Sequence, residues 1–138
     1  MKIQALFIQR EKKAPAEQVH CLSVEAQKGI VGDVHADGSD RQISLLPNFV
    51  FTQRKTQADM YPCLSKIKVN MVLADFDGAQ VGDILQFGDV VLKITHCGRA
   101  CHNLCENSGQ GKFCGLTEHL YFASVETSGT VCTDALHP

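Results

Sequence analysis

Four of the seven cysteines fall close together, at Cys97, Cys101, Cys105 and Cys114, with His96 and His102 among them. Sulfur and imidazole at this density suit two kinds of chemistry. A thiolate is a nucleophile, favoured by nearby cations and by helix N-termini. Sets of Cys and His also bind zinc or iron. Arg99 lies two residues before Cys101 and His102 directly after it. A helix beginning near Ala100 would aim backbone N–H groups at the Cys101 sulfur, which makes Cys101 the candidate for a lowered pKa. If residues 97–105 were helical, Cys97, Cys101 and Cys105 would stack at i, i+4 and i+8 on one face, where one thiol can resolve chemistry begun on another. The spacing C-x3-C-x3-C-x8-C lacks the C-x2-C pairs of a strong zinc signature and is not a standard ferredoxin pattern. A zinc or iron–sulfur site built from Cys97, Cys101, Cys105 and Cys114 stays open beside the reactive thiol. Free cysteine is among the most buried residue types, so Cys21, Cys63 and Cys132 read as ordinary small buried hydrophobes.

The elements that must position these residues are mostly strands. Ile3 to Ile8 reads as a strand, Val19 to Val24 as a second, and Gln42 to Leu46, Ile67 to Leu73 and Phe122 to Val125 as others. Gly32-Asp33, Gly82-Asp83 and Gly88-Asp89 mark turns, because Gly takes positive φ readily and Asp hydrogen-bonds the local backbone. Around Gly88-Asp89, residues 83–95 form the clearest hairpin, with Val90, Leu92 and Ile94 alternating on one face. Helical signal is confined to Phe49–Thr56 and Ala100–Glu106. Short strands, closely spaced turns and no long amphipathic helix predict a mostly β fold, a closed or partly open β-barrel with a few short helices.

The 138 residues suit one domain spanning 1–138. Hydrophobic residues at 44 % and charged residues at 20 % are near the globular average. Thirteen basic against fifteen acidic residues give a formal charge of -2 with no run of like charge, which argues against nucleic acid as a partner. No stretch approaches the roughly 20 apolar residues of a membrane helix, and the first ten residues lack the features of a signal peptide. The expectation is a cytoplasmic protein with reduced thiols and no membrane partner.

At the level of motifs the chain resembles the MOSC domain, named for the C-terminal part of molybdenum cofactor sulfurases, and in particular its small stand-alone members. The family form G-K-x-C-H-x-x-C, a further Cys after eight residues and then F-A-x-V is matched by Gly98-Arg99-Ala100-Cys101-His102-Asn103-Leu104-Cys105, Cys114 and Phe122-Ala123-Ser124-Val125, with Arg99 in place of Lys. The upstream form G-x-x-G-D-x-H-A leading into R-Q-V-S-L-L is matched by Gly29 to Ala36 and Arg41 to Leu46. Two departures stand out: Val69 precedes Asn70 where the family often has Glu, and Asp40 precedes Arg41 where His is common.

The resemblance implies a barrel of the pyruvate-kinase β-barrel type. It also implies a sulfur carrier or molybdenum-cofactor (molybdopterin) binding role through Cys101. Cys105 and His102 would assist, and Cys101, Cys105 and Cys114 would serve as soft metal ligands. Arg41, Arg99, His35 and Asn70 would face the anionic cofactor. A persulfide carrier needs a sulfur donor, and the chain has no recognisable pyridoxal-phosphate lysine motif. The implied partners are a cysteine desulfurase or other donor and, as acceptor, a molybdoenzyme or a molybdenum cofactor biosynthesis protein. The alternative is a thiol-redox or metal-binding protein that transfers no sulfur.

Overall fold

The computed structural model describes residues 2–11, 17–34, 42–57, 69–98 and 119–133, as backbone only at 53–57. Ten strands and one helix follow in order: β1 (Lys2–Ile8), β2 (Glu17–Val19), β3 (Cys21–Glu25), β4 (Gly29–Ile30), β5 (Ile43–Pro47), α1 (Asn48–Gln57), β6 (Met71–Ala74), β7 (Ile84–Phe87), β8 (Val90–Cys97), β9 (Tyr121–Thr127) and β10 (Gly129–Cys132). Seven form one sheet in the order β2-β1-β6-β5-β9-β8-β7, and β10-β3-β4 form a second. The fold is mostly β and barrel-like, as the strand pattern predicts. All pairings are antiparallel except β5 with β6. Parallel neighbours need a crossover connection, and α1 lies within this one.

The small sheet lies across the large one, β3 against β1 and β9 and β10 against β8. Between them sits the main core, built from alternate residues such as Leu6 and Ile8 of β1, Leu22 and Val24 of β3, Leu92 and Ile94 of β8, and Val131 of β10. On the outer face of the large sheet, Val50 of α1 packs on Ala5, Leu46, Val72 and Leu120, with Phe7, Phe51 and Phe122 around them. Strand β5 is therefore covered on both faces, and all five of its residues are buried. A shift of register between Ile3 and Ala5 changes which face the strand presents. It explains why Ile3 and Leu6, three apart, both point into the main core while Ala5 points to the helix.

The hairpin of residues 83–95 is present as β7 and β8, and the helix expected at Phe49–Thr56 is α1. The strand expected over Val19 to Val24 is divided at His20: its first residue pairs with β1 and the rest belongs to the other sheet. Two expectations about cysteine need correction. Cys21 and Cys132 are not buried hydrophobes with reduced thiols; they lie directly opposite on β3 and β10, face outward and are joined in a disulfide. Nor does Cys97 begin a helix. It is the last residue of β8, paired with Tyr121, and so is not part of a helical face. Among the described residues no helix is long and apolar enough to cross a membrane.

Candidate functional site

Strand β9 lies between β5 and β8. Its residue Tyr121 pairs with Leu45 on one side and Cys97 on the other, and Ala123 pairs with Ile43 and Ile94. The cysteine-bearing sequence from 99 to 118 connects the end of β8 to the start of β9. Its two ends are tied together by the Gly98 N–H, which donates to the Leu120 carbonyl at 2.7 Å. Gly98 has φ +82°, a left-handed value that suits glycine where the chain turns out of the strand. The other motif segment, 35–41, feeds into β5.

The bases of that second segment are held by a buried polar network. Asn70 Oδ1 accepts from the Ser44 N–H at 3.0 Å and from the Ser44 hydroxyl at 3.1 Å. Asn70 Nδ2 donates to the Phe7 carbonyl and to Asp33 Oδ2, both at 3.2 Å. Asp33 Oδ2 also accepts from the Gln9 N–H at 2.9 Å. Asn70, Asp33 and Ser44 are all nearly excluded from solvent, so each of these bonds replaces water that the groups gave up on folding. The geometry gives Asn70 a positioning part: it ties Asp33, just before residues 35–41, to Ser44, just after them. The sequence predicts that Asp33 bonds the local backbone; the structure instead turns its carboxylate to the distant Gln9 N–H and Asn70 amide.

A second constellation stands at the rim, beside the ends of the cysteine segment. Asp77 Oδ1 accepts from the Tyr121 hydroxyl at 2.9 Å and lies 2.8 Å from His119 Nδ1. The Gly78 N–H donates to the Tyr121 oxygen at 3.0 Å. Burial pushes the Asp77 carboxyl upward, but hydrogen bonds from His119, Tyr121 and the Gly78 backbone, with the His119 charge, hold it below the usual carboxylate value. An ionised Asp77 accepts only, so the proton between it and His119 sits on Nδ1. Tyr121 is pushed up to about 12, first by burial and then by its hydrogen bond to Asp77. Cys97 Sγ donates to the Ala79 carbonyl at 3.2 Å. Burial and the Asp83 charge raise its pKa against an opposing backbone hydrogen bond from Val81, so this exposed sulfur is a thiol rather than a thiolate at neutral pH.

Of the cluster and site residues singled out from the sequence, Asn70, His96 and Cys97 are described, and His35, Arg41, Arg99, Cys101, His102, Cys105 and Cys114 lie outside the described residues, as do Cys63 and the helix expected at Ala100–Glu106. Among the described residues no group of His, Cys, Asp and Glu is arranged to hold a metal ion. Asp77, His119 and Tyr121 were not expected from the sequence: Asp77 is more than forty positions from its partners, and none of the three belongs to a local motif.

No protein-family model and no curated protein matches the chain. Solved structures do. The YuaD protein from Bacillus subtilis superimposes with a TM-score of 0.70 at 16% identity, over 96% of this chain and 91% of that one. YiiM from Escherichia coli gives 0.60 at 17% identity, over 97% of this chain and 67% of its own. A hypothetical protein gives 0.65 at 19% identity, and there the chain spans 64% of the other's length. Identities this low speak to the fold, which is shared along nearly the whole chain.

Proposed function

We propose that the chain is a MOSC domain that acts through the thiol of Cys101, as a sulfur carrier associated with the molybdenum cofactor. The observation that supports this reading is that β5 and β9, the strands into which the two sequence motifs run, are neighbours in one sheet. The Arg41 motif runs into β5 and the Cys101 motif links β8 to β9, the strand between them. The barrel-like fold shared with YuaD and YiiM along nearly the whole chain is the frame this reading requires.

In this role the Cys101 thiolate attacks the outer sulfur of a donor persulfide. The new bond is Cys101 S–S, the donor S–S bond breaks, and the donor leaves as a thiolate. An acceptor nucleophile later takes the outer sulfur by the same kind of exchange. Arg99 and His102 favour the ionised thiol, and Cys105 or Cys114 can displace the carried sulfur by forming a disulfide with Cys101. Of the residues implied to face the cofactor, Asn70 is the one described. Its amide is committed to protein partners, so it acts on such a site through the bases of 35–41. The donor in this reading is a cysteine desulfurase and the acceptor a molybdoenzyme or a cofactor biosynthesis protein.

The test is to incubate the protein with a cysteine desulfurase and L-cysteine and record its intact mass. One added sulfur, lost on reduction and absent in Cys101→Ala, is the expected result. An unmodified mass, or an adduct that survives Cys101→Ala, overturns the reading.

A further inference from the structure

Next to the Asp77 constellation a cleft of about 430 Å³ opens between the start of α1 and the residues that follow β6, lined by Asn48, Phe49 and residues 73–77. A cleft this size fits a small molecule. Its walls are largely apolar: Leu73, Phe76 and the exposed ring of Phe49. Among the described residues its charged lining is acidic, from Asp75 and Asp77.

The two carboxylates differ. Asp77 is pinned from one side by His119 and Tyr121. Asp75 is exposed, and its carboxylate has no hydrogen-bond or ion-pair partner among the described residues. His119 stacks edge-on against Phe49, with ring centres 5.2 Å apart, and so braces the aromatic wall as well as Asp77. The N-terminus of α1 contributes about half a positive charge at most. Asp77 already shares its charge with His119, so the carboxylate most open to a ligand is that of Asp75, which disfavours an anion. A cation gains from both acids and from the face of Phe49.

We propose that this cleft is a binding site for a small primary amine with an apolar body, the body lying on Phe49 and the ammonium between Asp75 and Asp77. The site needs neither Cys101 nor any other cysteine, and its test does not involve sulfur transfer. A molecule bound here sits beside the strands from which the cysteine segment leaves and to which it returns.

The full chain is titrated with benzylamine and, as the matched anion, with benzoate, while the ring signals of Phe49 and His119 are followed by NMR. Benzylamine is expected to give saturable shifts at both rings and benzoate none. Asp75→Asn keeps a residue type that tolerates the left-handed backbone seen there, φ 55°, and Phe49→Ala removes a half-exposed side chain. Both variants should stay folded and bind benzylamine roughly three- to tenfold more weakly. The proposal is overturned by unsaturable or absent shifts with benzylamine, by an equal response to benzoate, or by unchanged affinity in both variants.

Discussion

At the scale of single residues, the buried amide of Asn70 and the hydroxyl of Tyr121 have measurable consequences. Asn70→Ala removes the acceptor used by the Ser44 N–H and the donor used by Asp33 and the Phe7 carbonyl. Each buried polar group left unsatisfied costs about 1–3 kcal/mol. The variant is expected to lose at least about 2 kcal/mol in urea unfolding, with an unchanged dependence on denaturant. Tyr121 makes a prediction in pH. Its folded pKa of about 12 lies above the ordinary tyrosine value of 10.0, so the folded form holds the proton more tightly. The stability this contributes is present below pH 10 and is lost as pH rises toward 12. Ultraviolet titration of the two tyrosines should therefore show a late ionisation that disappears in Tyr121→Phe and moves to lower pH in Asp77→Asn.

At the scale of elements, β10 depends on one close approach. A Cβ placed on Gly129 would stand 2.8 Å from Cγ2 of Val90, a stiff and fully buried side chain. Gly129→Ala forces β10 and β8 apart or distorts Val90, and is expected to cost about 1–3 kcal/mol by thermal or chemical unfolding. Substitution of Gly88, whose Cβ would meet open space but whose φ is +62°, strains the β7–β8 turn instead. The same contrast explains what could be read from the sequence. The β7–β8 hairpin was legible because its turn signal and both alternating strands are contiguous. β4 has two residues and β10 four, and among the described residues each pairs with β3 alone, so neither carries a pattern of its own. The bulge in β1 was hidden as well, because Ile3 to Ile8 reads as one nearly continuous apolar run that does not distinguish an inward face from an outward one.

At the scale of the molecule, the sequence marked two motif loops and a barrel, and the strand frame agrees with the barrel. Asn70 was reached through the family resemblance, whereas Asp77, His119 and Tyr121 meet only because loop and strand ends converge at one rim. The Cys21–Cys132 bridge was likewise invisible, since it depends on the pairing of strands 111 positions apart in the chain. In the chain-entropy picture, closing so long a loop stabilises the fold by roughly 4–5 kcal/mol. Reduction, or Cys21→Ser with Cys132→Ser, should lower the melting temperature markedly in a calorimetric scan. The bridge also changes the connectivity of the polypeptide, for everything from β3 to β10 becomes one covalent ring. A protease that nicks the backbone once within it opens the ring without releasing a fragment. On a denaturing gel the nicked protein should run as a single species until a reductant is added, and only then separate into two pieces.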